Sequence, residues 1–160
     1  MNIFFLDGNT GLSAQYHNDR HVVKMVTEYA QLLSTAHHLH GDNIKGIYRP
    51  THTKHPSTIW TATSRQNYLY LYLLYQALSS EYQWRYGKIH ASYANLFEIL
   101  KEPPRGMAEQ FTKPLLATPV KYHRNDVVES YRLYYLHEKL KFATYTKVPV
   151  PYWIQDFLRR

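Results

Sequence analysis

The chain contains no cysteine, which excludes a disulfide framework and a thiolate nucleophile. It also lacks any run near the ~18 apolar residues that a membrane span needs. The opening segment MNIFFLDGN has no basic start and a hydrophobic run of only four residues. We therefore expect a soluble protein of the cytoplasm, with neither a signal peptide nor an anchor. No repeat divides the 160 residues, so they predict one domain over 1–160.

Acidic residues are scarce relative to basic ones. The chain has 12 Asp and Glu against 19 Lys and Arg, a net charge of +7 with histidine neutral. Ten histidines add positive charge as the pH falls toward ~6.5. Sixteen tyrosines supply aromatic planes. Cations that pair with phosphates and rings that stack on bases favour a nucleic acid or a nucleotide as the partner.

Residues 15–40 have the period of an amphipathic helix, which we expect to run from about 13 to 40, with Ser13 as the N-cap and Gly41 at the end. One face is an apolar core stripe of Val22, Val26, Tyr29, Ala30 and Leu33. The opposite face carries polar groups, namely His17, His21, Lys24, Glu28, Gln31, Thr35 and His38.

The chemistry of this polar face is unusually varied. A solvated face usually carries interchangeable Lys and Glu, whereas this one combines an acid, an amine, an amide, a hydroxyl and three imidazoles. We interpret it as the wall of a catalytic site, with an ordinary wet face as the alternative. His17 and His21, four residues apart, could also hold a metal, but no third ligand with recognisable spacing accompanies them.

Three further segments have helical patterns. They run from His55 to about Tyr86, over His90–Lys101 and over about 126–143. A proline suits the first turn of the second helix, where Ser57 or Thr58 can cap. Asp126 and Glu129 form a possible capping box for the last helix.

The remaining segments have the composition of arms and loops. Ile3–Leu6 is a short apolar run, either a strand or a packed N-terminal arm. Residues 102–124 hold four of the eight prolines and form a long connection. Pro149 and Pro151 exclude a helix through the aromatic tail. Together these patterns predict an all-α fold, a single compact helical domain of about four main helices with an N-terminal arm and an extended aromatic C-terminal tail.

The segment 41–57 concentrates basic groups in a loop rich in Gly, Asn and Pro. Arg49, His52, Lys54 and His55 crowd into it. It is either a solvated basic loop or a phosphate-binding wall beside the first helix.

The first helix carries a motif that is similar to that of a known family. Asp19-Arg20-His21 is followed, seven residues after the histidine, by Glu28. This D-x-H…E element resembles the phage-type pyrimidine-dimer DNA glycosylases, also called endonuclease V, whose catalytic glutamate has that spacing. The family is a compact helical domain with its N-terminus threaded between helices. The chain also resembles uncharacterised phage proteins with a D-K-H-V-V-K-M core, to which no activity attaches.

The similarity continues along the chain. The family has a basic stretch and a proline before a long aromatic helix, which resembles HPSTIW…NYLYLYLLYQALSSEYQWRYGK. It ends with a helix rich in Arg and Lys and a P-x-W/Y tail, which resembles Ser130–Lys141 and Pro151-Tyr152-Trp153. The resemblance thus implies double-stranded DNA as the partner, in a phage-infected bacterial cell, and no cofactor.

The resemblance also implies roles for individual residues. In the glycosylase–lyase reaction an amine attacks the sugar C1′, the base leaves and a Schiff base forms. Glu28 would stabilise the developing positive charge and move protons, with His21 orienting the substrate. The implied substrate-binding residues are Asp19, Arg20, Gln31, Arg49, Lys54, His55 and Arg65, with Tyr152 and Trp153 against a distorted or flipped nucleotide.

The nucleophile departs from the family pattern. The family uses the α-amine of a small residue that is exposed when the initiator Met is removed, whereas residue 2 here is Asn. The nucleophile is therefore the Met1 amine or Lys24, unless water or another acceptor replaces an amine. A lysine four residues before a glutamate is also an ordinary helical ion pair.

Three functions remain open from the sequence. The first is a DNA N-glycosylase, with or without abasic lyase activity, on a damaged or modified base. The second is a phage transferase that modifies a nucleobase on the same scaffold, with a cosubstrate pocket at 41–57. The third is a non-enzymatic nucleic-acid-binding protein, in which the polar stripe is a contact surface.

Overall fold

The computed structural model describes all residues, 1–160, and is all-α with no sheet. Seven α-helices follow one another: α1 (Thr10–Tyr16), α2 (Asp19–Leu39), α3 (Pro56–Thr63), α4 (Arg65–Tyr86), α5 (Ala91–Leu96), α6 (Val127–Tyr134) and α7 (Tyr152–Leu158). The long helix α2 packs against α3, α4 and α5, and α1 packs against α4. None of the helices is both long and apolar enough to cross a membrane.

The predicted first helix is two helices. The backbone is extended at His17 and Asn18, and the Asn18 side chain caps α2 by accepting from the His21 N–H. Ser13 is not the cap, because Asn9 caps α1. The Ser13 hydroxyl instead donates to the Phe4 carbonyl and accepts from the Leu6 N–H. The helix end near Gly41 and the predicted apolar stripe of α2 are confirmed.

The predicted second helix is also divided. Ser64 is extended, caps α4 through the Asn67 N–H, and pairs with the 102–124 segment by a bridge to Ala108. The cap of α3 is the imidazole of His55, not Ser57 or Thr58, which are buried. The hydrophobic period does not reveal the break at Ser64, because the break is stabilised by a side-chain cap and by a backbone bridge to a distant residue.

The C-terminal part departs from prediction in two places. The helical run after α6 continues as a π turn over Tyr135–Lys139 and a 3₁₀ turn over Leu140–Phe142. The tail beyond Pro151 is helix α7 rather than an extended segment. Proline is compatible with the first turn of a helix, so Pro151 marks the start of α7. The predicted Asp126 cap is confirmed by a bond from the Glu129 N–H.

The N-terminal arm is part of the core. Ile3, Phe4, Phe5 and Leu6 are each 5% exposed or less. Phe5 packs against Trp60, Tyr70 and Tyr131, so the arm lies between α3, α4 and α6. Burying four such side chains stabilises the fold by roughly 2 kcal/mol each. The packed-arm interpretation of this segment is confirmed, and the strand is excluded.

Much of the tyrosine content serves packing. Tyr68, Tyr72 and Tyr75 of α4 are buried and donate to the carbonyls of Leu100, Phe97 and Ser92, respectively. Phe97 and Leu100 follow the short helix α5, where no regular helix accounts for their carbonyls, so tyrosine hydroxyls satisfy them. The tyrosine stripe on α4 therefore holds residues 91–100 against the helix.

A buried ion pair joins the start of α2 to the end of α4. The Arg85 guanidinium contacts Asp19 Oδ1 and Glu81 Oε1, each at 3.0 Å, and also donates to the Gln15 carbonyl. Asp19 also accepts from the hydroxyls of Thr144 and Thr146 and from the Thr146 N–H. Burial raises the pKa of Asp19, but these hydrogen bonds outweigh it and hold the pKa below its usual range.

We predict that Asp19→Asn lowers the free energy of unfolding by about 3 kcal/mol at neutral pH, because it removes one of the two carboxylates that pair with the buried Arg85. The folded-state pKa of Asp19 is depressed, so its contribution is present above the unfolded pKa near ~3.9 and is lost as the pH falls through the folded value. Urea unfolding at pH 7 and at pH 3 measures both effects. The control is Asp156→Asn, whose exposed pair with Arg159 should be worth under ~0.5 kcal/mol.

Candidate active site

The four residues predicted to carry catalysis line one cavity. Met1, His21, Lys24 and Glu28 surround a space of about 80 Å³. His21, Lys24 and Glu28 come from one face of α2, and the N-terminal arm brings Met1 to it. The rest of the wall consists of Asn2, Phe4, Met25, Tyr134 and Lys139.

Glu28 is the most unusual group in this cavity. Its side chain is 17% exposed, and its Oε2 atom is buried without a hydrogen-bond partner. The nearest cation is Lys24, with Nζ 3.8 Å from Oε2. A buried carboxylate normally accepts several hydrogen bonds, as Asp19 does. Glu28 therefore keeps its acceptor capacity for something other than the fold.

Positive charge surrounds the cavity. The Lys24 side chain is 60% exposed, and Lys139 enters from the π turn. The Lys139 ammonium lies 5.1 Å from the Tyr134 ring centre. Arg20 lies over the Phe142 ring at 4.4 Å, near enough to His21 to affect its protonation. The site thus combines one carboxylate with several cations, a composition that suits an anionic substrate.

His21 is held neutral. Its Nδ1 atom is 2.6 Å from the Tyr135 hydroxyl, and its ring stacks on Phe4 at 4.4 Å. Burial, followed by the positive charges of neighbouring basic groups, lowers the pKa of His21 to about 2. His21 can therefore form hydrogen bonds in the cavity but cannot supply a positive charge at neutral pH.

Buried polar groups fix the arm that carries Met1. The Phe4 N–H donates to the Tyr29 hydroxyl, which donates to His17 Nε2, and His17 Nδ1 donates to the Ser13 carbonyl. The Asn2 side chain donates to the Ala117 carbonyl and accepts from the Tyr131 hydroxyl. Met1 is therefore attached to a residue whose side chain is held by two hydrogen bonds.

The predicted substrate-binding residues on the surface differ in their surroundings, and none of them lines the cavity. Arg20, Arg49, Lys54 and Arg65 are exposed and form no ion pair with an acidic residue. Arg65 faces the 102–107 turn rather than the cavity. Gln31 of α2 is half-buried, and its side chain makes no hydrogen bond. Burial, then the α-amine of Met1 and His52, lower the pKa of His55, so His55 lies close to the chain start.

Three predicted substrate-binding residues have internal partners instead. Asp19 is the anchor of Arg85 and does not line the cavity. Trp153 is 8% exposed and packs against Tyr135. Tyr152 is exposed, but its hydroxyl accepts from Arg132. The ring of Trp153 therefore has little surface left for a nucleotide.

The histidine pair considered as a metal site is not one. His17 lies before α2 begins, and both of its ring nitrogens are bonded within the chain. No cluster of three or more His, Cys, Asp or Glu side chains has an arrangement suited to a metal ion.

Sequence reasoning missed part of the cavity wall. Asn2, Tyr134 and Lys139 line it, and Tyr135 fixes His21 from behind. The arm is more than 100 residues away in sequence from the end of α6 and the π turn. The family resemblance implied that the chain start would reach the first long helix; among the residues themselves, the apolar run Ile3–Leu6, which demands burial, is the signal for it.

No protein family, curated protein or solved structure matches this chain.

We predict that the protein loses stability steeply in mild acid. Burial is the main cause that lowers the pKa of His17 to about 4 and that of His21 to about 2. Both values lie below the ~6.5 of an unfolded histidine, so the unfolded chain binds more protons, and stability falls as the pH drops below that value. The two residues together should reduce the free energy of unfolding by roughly 2.7 kcal/mol per pH unit between about pH 6 and 4.

Urea titrations at half-unit pH intervals measure this slope. In His21→Gln, which has no titrating ring at position 21, about half of the slope should remain. A free energy of unfolding that stays constant from pH 7 to 4 would show that the two histidines are not neutral in the folded protein.

Proposed function

We propose that the chain is a DNA N-glycosylase with an abasic lyase step, in which the Met1 α-amine is the nucleophile and Glu28 the catalytic carboxylate. One observation carries this proposal: the buried arm brings the chain start to a cavity that contains a carboxylate whose buried oxygen accepts no hydrogen bond. Imine formation at a sugar requires an amine that attacks C1′ and a carboxylate close to the same atom. The D-x-H…E resemblance supports the same reaction class.

The environment of the two amines favours Met1 over Lys24. Lys24 is 60% exposed and lies 3.8 Å from Glu28, the arrangement of an ordinary helical ion pair. Met1 is half-buried and attached to the immobilised Asn2. At neutral pH an α-amine in general has a larger unprotonated fraction than a lysine amine. Lys24 then contributes positive charge next to the substrate phosphate.

The proposed reaction balances without a cofactor. The unprotonated amine forms a bond to C1′, the glycosidic C–N bond breaks, and its electron pair leaves with the base nitrogen, which takes up a proton. The attacking nitrogen loses its proton to Glu28, which passes it to O4′ as the C1′–O4′ bond breaks, and the sugar ring opens to a protonated imine. In the lyase step Glu28 takes a proton from C2′ and the C3′–O bond breaks, so that the phosphate departs. Water then hydrolyses the imine and frees the amine.

The size of the cavity restricts which atoms enter it. A space of about 80 Å³ is far below the ~300 Å³ of pockets that enclose small molecules. It suits the reacting edge of a deoxyribose, while the phosphates remain outside. The exposed, unpaired cations Arg20, Arg49 and Lys54 then pair with the DNA backbone in this proposal.

A nucleobase-modifying transferase is the second candidate, favoured by one observation. A trough of about 640 Å³ lies between α6 and α7, within the size range of a small-molecule site. Its wall mixes apolar side chains, such as Leu133 and Phe157, with the charged groups Asp156 and Arg160. A cosubstrate would bind there rather than at 41–57. A non-enzymatic binding protein, the third possibility, would not require Glu28 to remain without a hydrogen-bond donor.

We predict that borohydride traps a covalent adduct between the protein and an abasic duplex. Peptide mapping should place the adduct on Met1, and extending the chain by Gly-Ser before Met1 should abolish it. Glu28→Gln should lower the rate of base release by about 10²-fold or more while sparing DNA binding, because it removes the charge that stabilises the sugar cation. The duplexes should carry a thymine dimer, uracil, hydroxymethyluracil or an abasic site.

The matched control is Glu98→Gln, an exposed acid outside the cavity. It should react like the parent chain. An adduct on Lys24 would show that Lys24, and not Met1, is the nucleophile. The absence of both an adduct and base release from every duplex would reject the glycosylase–lyase proposal. Base release without an adduct would indicate that water, and not an amine, is the nucleophile.

We also predict that DNA affinity falls steeply with salt. Each phosphate that is neutralised contributes about −0.9 to the slope of log K against log salt. Replacing Arg20 or Lys54 by Gln should therefore reduce the slope by about one and weaken binding similarly for all sequences. Fluorescence anisotropy between 50 and 200 mM salt, roughly the physiological range, measures it. Arg159→Gln, whose side chain pairs with Asp156, is the control and should leave the slope unchanged.

A further inference from the structure

The π turn places a buried hydroxyl directly behind His21. Tyr135 is 1% exposed, and its hydroxyl lies 2.6 Å from His21 Nδ1. The same hydroxyl accepts the Asn18 backbone N–H at 3.1 Å. Tyr135 therefore connects the π turn after α6 to the first turn of α2, where the cavity begins.

These bonds determine which nitrogen of His21 carries the proton. The Tyr135 hydroxyl bonds only to the Asn18 N–H, which can only donate, and to His21 Nδ1, so Nδ1 is the one acceptor available to the hydroxyl proton. Nδ1 is then the acceptor, and the neutral imidazole carries its proton on Nε2. Nε2 has no partner within the chain, although His21 lines the cavity.

The ring is also fixed in its plane and surrounded by charge. Phe4 stacks on it at 4.4 Å with an angle of 23° between the planes. Protonation of His21 is unfavourable, because it would add a positive charge beside Arg20 and Lys24 of α2 and Lys139 of the π turn. The titratable and charged groups near it are the Met1 amine, His17, Arg20, Lys24, Glu28, Tyr134, Tyr135 and Lys139.

We propose that Tyr135 is a positioning residue that holds His21 as the Nε2–H tautomer, and that His21 thereby donates a hydrogen bond to an oxygen of the reacting nucleotide. The proposal rests on the proposed function for its substrate, a sugar-phosphate, but not for the state of the ring. Two oxygens have the required chemistry, the sugar ring oxygen and a flanking phosphate oxygen. His21 then neither takes nor releases a proton during turnover.

The first test reads the tautomer without any substrate. In the protein labelled with ¹⁵N at histidine, His21 should show a pyridine-type shift for Nδ1 and a pyrrole-type shift for Nε2, unchanged from pH 8 to 5. Tyr135→Phe should mix the two tautomers. Tyr75→Phe, which removes another buried hydroxyl that is bonded only to the Ser92 carbonyl, should not. A protonated Nδ1, or titration of His21 within this pH range, would overturn the proposal.

The second test measures what the Nε2 proton does. The probe is a duplex that carries a tetrahydrofuran abasic analogue, and binding is followed by fluorescence anisotropy. His21→Leu should weaken binding about tenfold, whereas His21→Gln, whose amide can donate from about the Nε2 position, should retain most of it. Equal binding by His21→Leu and the parent chain would reject the donor role, provided that both remain folded by circular dichroism.

Two altered probes distinguish the oxygens. A cyclopentane analogue lacks the ring oxygen, and a methylphosphonate weakens the flanking phosphate as an acceptor. The probe on which His21→Leu no longer differs from the parent chain identifies the partner of Nε2, and a difference that persists on both would overturn the assignment to these oxygens. A correct tautomer without any borohydride adduct would leave this inference standing for the ring while rejecting the proposed function.

Discussion

The structure depends on how a buried, extended arm satisfies its backbone. Ile3–Leu6 belongs to no helix or sheet, yet its N–H and C=O groups are out of water. The Tyr29 and Ser13 hydroxyls satisfy Phe4 on both sides, and the Arg132 guanidinium satisfies the Leu6 carbonyl. Because unpaired buried backbone groups are costly, these three side chains determine where the arm can lie. The position of Met1 follows from that.

Two buried histidines serve as neutral hydrogen-bonding groups, in contrast to the charged Glu28. His17 completes the arm network and His21 completes the cavity, and burial keeps both rings neutral. The partners of the ring nitrogens determine which nitrogen of each ring carries the proton. These residues therefore act as oriented hydrogen-bonding groups. Glu28 differs, because the fold supplies no donor to it. A carboxylate among cations that accepts no hydrogen bond from the fold is the feature that most favours a reacting site.

The sequence predicted local features better than connections. The all-α class, the apolar stripe of α2 and the Asp126 cap follow from short-range periodicity and composition, and the structure confirms them. The breaks at Asn18 and Ser64 were missed, because a polar residue within an amphipathic pattern does not disturb the period. Helix α7 was missed for a related reason, since prolines were counted as breakers although Pro151 starts that helix.

For the site, the sequence by itself determined the part carried by one helix. The spacing of His21, Lys24 and Glu28 is that of neighbours on a helix face, so the helical repeat alone brings them together. Only the tertiary structure decided that Met1, Asn2 and Lys139 join them, and that Asp19 and Trp153 serve as anchors. The physical reason is that contacts between distant segments are selected by which buried surfaces and polar groups complement each other, and a linear pattern does not contain that information.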